Sequence, residues 1–259
     1  MEITILVAAH RAYPMPEDKI YQPIEVGADL HESHIPRFTL DNTGENISAV
    51  NSFYNELTAT YWAKHNLQSQ DVIGLAHYRR FLGRRMGHRY RDLLTDNDIT
   101  KALSQVDVLL PRQRNYVIET QEQHYLNAHA RLPYDVMYQV IQEKYPDYIP
   151  AFETIRHAKK AHLFNMFIMK QRAFQQYTDF LFGVLFEVEQ RIDFSELTGQ
   201  DQRALGFLGE RLMDVWLLKN QMTYQEFPVV TTEKTNWLVK GWHFLKRHFG
   251  QRQQAKTHF

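Results

Sequence analysis

Apolar residues in this chain come in short, nearly unbroken runs separated by longer stretches of helical periodicity. Residues 3–9, Ile-Thr-Ile-Leu-Val-Ala-Ala, have the β-branched, non-alternating look of a strand buried on both faces, and residues 72–76 and 106–110 repeat it. Residues 162–169 read as a further buried strand, and Val229-Val230 as a short one closing the sheet. Between them, Asn51 opens a helix over Phe53, Leu57, Thr60, Tyr61 and Lys64 that ends before Asp71, and residues 94–103 form a short helix opening at Thr95 or Asp96. Residues 119–142 are helical by pattern and broken at Pro133; further helices are expected over 151–157, 172–191 and 202–219. Residues 21–51 carry Pro23, Gly27, Pro36 and a run of turn formers from Asp41 to Asn46, without sustained period. A loop this long in a compact domain is usually functional.

Strands alternating with helices predict an α/β domain whose mainly parallel central sheet is flanked by helices, with ligands at the carboxyl ends of the strands. Residues 1–233 are expected to form that one domain and residues 234–259 a basic amphipathic tail. The 259 residues include no Cys, which removes thiolate nucleophiles, zinc ribbons and iron–sulfur clusters. The longest apolar run, residues 180–186, is far shorter than the ~20 residues of a membrane span. An acidic, strand-like start at Met1-Glu2-Ile3 is unlike a signal peptide, so a cytoplasmic location is expected. Net charge is zero, yet all six charged residues after Glu233 are bases, leaving 24 bases against 30 acids in the body. A mildly acidic body argues against nucleic-acid binding, whose affinity comes from neutralising phosphates. The tail, with Trp237, Leu238, Trp242, Leu245 and Phe249 interleaved with Lys240, Lys246 and Arg247, suits an anionic membrane surface or packing on the body.

Glycine-rich dinucleotide and phosphate loops, zincin His-Glu-x-x-His and hydrolase Gly-x-Ser-x-Gly are all missing. Asp96-Asn97-Asp98 suggests a metal cluster, but first-turn acids serving a helix dipole explain it better. His77-Tyr78-Arg79-Arg80 follows a buried strand, where two guanidinium forks could clamp a diphosphate or simply form surface ion pairs. Glu210 follows two small residues, Gly206 and Gly209, at an expected helix start, where it either faces a cleft as a general base or pairs with Arg211. Asn115, Tyr116, His124 and the tyrosines at 125, 134 and 138 could stack on and hydrogen-bond to sugars, or pack between helices. His162 and Asn165 either satisfy the core or face a ligand.

Taken in order, Glu17 to Gly27, Asp41 to Ser48 with Asn51 and Tyr54-Asn55-Glu56-Leu57-Thr58, Gly74-Leu75-Ala76-His77-Tyr78-Arg79-Arg80, Leu109-Leu110-Pro111 with Arg114-Asn115-Tyr116, residues 164–170 and Gly209-Glu210-Arg211-Leu212 resemble a family found in bacterial capsular and exopolysaccharide gene clusters, long catalogued as a domain of unknown function. The resemblance runs from about Ile3 to Trp237. Its members are regarded as glycosyltransferases, some of them galactofuranosyltransferases, so it implies a GT-A-like nucleotide-diphospho-sugar transferase fold. It further implies inverting transfer of a hexose, galactofuranose or galactose, from a UDP-sugar to a lipid-linked glycan on the inner face of the membrane. Glu210 would be the base, and His77, Tyr78, Arg79 and Arg80 would hold the diphosphate. Ala8, Ala9, His10, Arg11, Asp41, Asn46, Asn51 and Glu56 would shape the donor pocket, and Asn115, Tyr116, His124, His162 and Asn165 would meet the acceptor. Familiar GT-A enzymes carry Asp-x-Asp where this chain has His77-Tyr78-Arg79-Arg80, so no Mn²⁺ or Mg²⁺ is assigned. The rival reading is a non-catalytic glycan-binding or assembly subunit of the same fold.

Overall fold

A computed structural model describes residues 1–233. The expected tail at 234–259 lies outside the described residues. The chain runs β1 (Ile3–Ala9), β2 (Tyr21–Glu25), β3 (Thr39–Leu40), α1 (Asn51–Tyr54), α2 (Leu57–Asn66), β4 (Val72–His77), β5 (Arg80–Leu82), α3 (Asp96–Leu103), β6 (Val108–Pro111) and β7 (Arg114–Asn115). It continues through α4 (Gln121–Leu126), α5 (Arg131–Lys144), α6 (Ile149–Arg156), β8 (Lys160–Ala161), β9 (Phe167–Lys170), α7 (Gln171–Arg191), α8 (Ala204–Lys219), β10 (Tyr224–Phe227) and β11 (Val229–Thr231).

The central sheet has the order β10-β6-β9-β4-β1-β2-β3, with β5 joining β4 and β11 to it. Its pairings are mixed: β1 with β2 and β4, β2 with β3, and β10 with β6 are parallel, whereas β9 runs against both neighbours and β5 against β4 and β11. The expectation of a mainly parallel sheet is corrected accordingly. The reversal of β9 has a consequence for the site, because it brings the start of β9 to the edge where β1 and β4 end. Along β1, Leu6 and Ala8 face a core shared with α2, α5, α7 and α8, while Ile3, Ile5, Val7 and Ala9 face a second core with α3. Burial on both faces is why this strand reads as an apolar run.

Three elements depart from expectation. The helix over residues 51–66 is interrupted at Asn55, whose φ is +53°, so Glu56 stands at the head of α2. The break expected at Pro133 falls instead between α4 and α5; Pro133 sits in the first turn of α5, where its missing N–H has no intrahelical partner to lose. The strand expected over 162–169 begins only at Phe167, and Phe164 and Asn165 take φ values of +76° and +50°. Asp96 and Asp98 are first-turn acids of α3 below a Thr95 capping box, as their spacing suggests.

Candidate active site

The turn ahead of β9 is the organising feature. A bulky residue at positive φ is strained, and here distant side chains hold it. His77 at the end of β4 donates from Nε2 to the Phe164 carbonyl at 2.6 Å, and the Phe164 N–H donates to Glu210 Oε1 at 2.9 Å. Asn165 Nδ2 donates to Glu56 Oε1 at 2.7 Å and to the Gly206 carbonyl at 3.0 Å. Glu56 Oε1 lies 3.9 Å from His77 Nε2, and the Arg80 guanidinium lies over the Phe164 ring at 4.6 Å. Two carboxylates, an imidazole and a guanidinium thus surround one dipeptide.

Glu210 is not at a helix start, as its preceding small residues suggest. It lies in the second turn of α8, and the glycines serve packing: a Cβ at Gly206 would stand 2.3 Å from Asn55 Nδ2, and one at Gly209 would stand 2.8 Å from Leu57 and 3.2 Å from Asn165 Oδ1. These close approaches set α8 against the Asn55 break and the Asn165 turn. Burial pushes the Glu210 carboxyl above its ordinary value; the Arg211 charge opposes this, and the negative charge of Glu56 reinforces it. Burial likewise holds His77 below its ordinary value, against the pull of Glu56. A neutral imidazole that donates through Nε2 has only a lone pair left at Nδ1. Through Nε2, His77 positions the turn.

Arg79 and Arg80, though close enough for each to feel the other's charge, have different partners. Arg80 faces the carboxylates, while Arg79 turns to the other side, with its guanidinium 4.9 Å from the Tyr78 ring and Nη1 3.0 Å from Glu233 Oε2. Arg11 joins it there, 5.5 Å from the same ring and 3.7 Å from Glu233 Oε1, and His10 meets Tyr78 edge-on at 5.4 Å. Burial first, then the charges of Arg11, Arg79, Arg203 and His31, press the His10 imidazole below its ordinary value. Arg203 is itself anchored by donating from Nε to Asn55 Oδ1 at 2.6 Å. The ends of β1 and β4 thus gather Arg11 and Arg79 about the buried Tyr78 ring, and the Arg203 charge of the segment leading into α8 is felt at His10 beside it.

Other expected site residues have different surroundings. Ala8 and Ala9 are buried within β1. Asp41 is fully buried and accepts from Gly27 N, Ala28 N, Ser48 Oγ and Thr58 Oγ1 at 2.5–3.0 Å, so its oxygens brace the loop between β2 and α2. Asn46 closes its own turn with Gly44 and Ser48, and Asn51 donates to the Asn55 carbonyl and Thr58. On the far flank of α8, buried Tyr116 accepts from Arg211 Nη1 at 3.3 Å and stacks on His124 at 4.0 Å. Burial, opposed by the Glu119 hydrogen bond, lowers His124 to about 4. His162 is enclosed between Asp214, 2.5 Å from Nδ1, and Glu226, 3.2 Å from Nε2. Asn115 is exposed in β7. Of the acceptor set, only Asn165 joins the Glu210 cluster.

At the end of β4 the carboxylates Glu56 and Glu210 stand with the Arg80 guanidinium, whose fixed positive charge opposes a divalent cation there. Among the described residues, no group of three metal-binding side chains converges elsewhere. Sequence reasoning missed Arg203, Asn55, Phe164 and Glu233. An Asn that can take positive φ, ahead of Glu56 in a helical pattern, was the one available signal.

The architecture is a GT-A-like α/β fold. Residues 4–221 match the family described as Domain of unknown function (DUF4422), and the chain belongs to that family. No curated protein matches it. Among solved structures it is similar to WbbM, a bifunctional glycosyltransferase solved in its apo form, with a TM-score of 0.83 and 25% identity over 90% of this chain. The chain spans 46% of WbbM, about half its length.

Proposed function

We propose that this chain is a glycosyltransferase that moves a hexose, galactofuranose or galactose, from a UDP-sugar to a lipid-linked glycan of capsular or exopolysaccharide type, with inversion at the anomeric carbon. The observation that carries the reading is a half-buried carboxylate of raised proton affinity, Glu210, beside a cation, Arg80, whose charge also feels Arg79 and Glu233 beside Tyr78. Similarity to WbbM supports it. In this reading the acceptor hydroxyl gives its proton to Glu210 and its oxygen attacks the anomeric carbon. The bond from that carbon to the diphosphate oxygen breaks, and UDP leaves with the bonding pair. Arg11, Arg79 and Arg203 would meet the charge that grows on the diphosphate, acting in a site already built to receive it. Arg80 would keep Glu210 ionisable, and Glu56 and His77 would hold the Phe164–Asn165 turn on which Glu210 rests.

No step is routed through a metal. The expected tail would hold the enzyme at the inner face of the membrane; among the described residues no helix is long and apolar enough to cross one. Calorimetric titration with UDP tests the donor site. Loss of one charge-assisted contact costs about 1.5–3 kcal/mol, so Arg79→Ala and Arg203→Ala should each weaken UDP binding roughly tenfold to a hundredfold. Parental affinity in both variants would place the donor elsewhere.

A further inference from the structure

The loop between β7 and α4 ends in two adjacent apolar residues that face water. Val117 is 66% exposed and Ile118 48%, and Val117 has a φ of +64°. A β-branched side chain is strained there, and the strain is held from below. The Val117 N–H donates to Asn115 Oδ1 at 2.8 Å, Ile118 N to the Tyr116 carbonyl at 2.7 Å, and Tyr116 N to the Lys159 carbonyl at 2.8 Å. The buried Tyr116 ring, stacked on His124, forms a rigid base for the tip. Among the exposed large apolar residues described, these two are the adjacent pair, and the backbone at Val117 stands at positive φ.

The exposed charges around the tip are mainly bases. The β7–β8 ribbon pairs Arg114 with Ala161 and Asn115 with Lys160, and places Lys159 opposite Tyr116. Arg112, Arg114, Lys159 and Lys160 are all exposed, and none of them forms an ion pair with an acid among the described residues. The acid next to the tip, Glu119, is buried against His124 and Asn127, Glu122 pairs with Arg156, and Glu226 lies 3.2 Å from His162. An aliphatic tip ringed by unneutralised bases matches an anionic bilayer, whose headgroups attract the bases while its acyl boundary takes up the apolar side chains.

We infer that the Val117–Ile118 tip and the bases of the β7–β8 ribbon are a membrane-docking surface for anionic phospholipid, separate from the tail. The inference does not depend on the reaction. Since Tyr116 also contacts Arg211, the neighbour of Glu210, docking there would set that flank of α8 toward the bilayer.

The test uses the full chain and sedimentation with phosphatidylcholine vesicles, with or without phosphatidylglycerol. Val117→Asp with Ile118→Asp should weaken binding to the anionic vesicles more than tenfold, and Arg114→Glu with Lys159→Glu and Lys160→Glu should do the same. Val117→Gly, which relieves the positive φ, should raise the thermal midpoint and still bind less, separating lost docking from lost folding. Unchanged vesicle binding in the tip variants and the charge variants would overturn the inference. So would a parent that ignores anionic vesicles, or tip variants that only dissociate a dimer in light scattering, which would mark the patch as an interface between copies.

Discussion

Replacing Glu210 by Gln separates the chemistry of the site from its architecture. Gln keeps an Oε1 to accept the Phe164 N–H that Glu210 accepts at 2.9 Å, so the turn keeps its support. The capacity to take a proton is lost. A positioned general base contributes ~10²–10⁴-fold, so transfer should fall by that factor, about 3–5 kcal/mol of barrier at 1.36 kcal/mol per tenfold. UDP affinity should stay parental, because the basic group around Tyr78 is untouched. Stability should move the other way. The folded state raises the Glu210 pKa through burial, so the protonated group supports the fold below the unfolded pKa, and that support is lost as pH rises through the folded value. At neutral pH the ionised carboxylate is therefore a cost that Gln lacks. Thermal midpoints across a pH series should find the variant at least as stable as the parent at neutrality, with its advantage shrinking toward acid. A variant with near-parental transfer would refute the assignment and pass the role to Glu56, the other carboxylate on the turn.

Neighbouring charges should shift the acid limb of the pH–rate profile in opposite directions. Glu56→Gln removes a negative charge and should move it to lower pH, whereas Arg80→Gln removes a positive one and should move it higher; a common direction would break the electrostatic account. Gly206→Ala forces a methyl to within 2.3 Å of Asn55 Nδ2 and should cost about 1–3 kcal/mol in denaturant melts, with the Arg203 anchor disturbed as well. Asp41→Ala strands donors at Gly27, Ala28, Ser48 and Thr58, and should lower stability by about 3–5 kcal/mol, the scale for breaking a buried charged network. A fully stable Asp41→Ala protein with lost UDP binding would instead make Asp41 a ligand.

The scaffold was legible where burial on both faces leaves an uninterrupted apolar run, as in β1 and β4, where period and cap coincide, as in α3, and where the helical period is long, as in α7. The edge strand β10 was not, because Tyr224, Gln225 and Glu226 are exposed and carry no apolar signal. Glu210, His77, Asn165 and Glu56 were each singled out in the sequence, but their meeting point was invisible. It rests on positive φ at Phe164, which nothing local in an apolar run announces and which side chains from β4, α2 and α8 hold in place. Arg79 and Arg80 looked like one clamp because they are adjacent. Arg79 lies in the tight turn between β4 and β5 while Arg80 opens β5 opposite His77, and that change of direction divides them between two groups. Asp41 was singled out as a polar residue in a long loop, and the structure shows it accepting from that loop's own N–H groups and from the Ser48 and Thr58 hydroxyls, contacts that no local pattern announces.

As a glycosyltransferase, this chain would take a sugar from a nucleotide diphosphate and join it to an acceptor. Mass spectrometry of a lipid-linked glycan mimic after incubation with the purified protein and UDP-hexose donors tests it most directly. The account predicts a mass gain of one hexose with matching UDP release, abolished by Glu210→Gln and insensitive to EDTA. UDP-sugar binding with no mass gain for any donor would contradict it, and would leave a glycan-binding subunit on a glycosyltransferase fold.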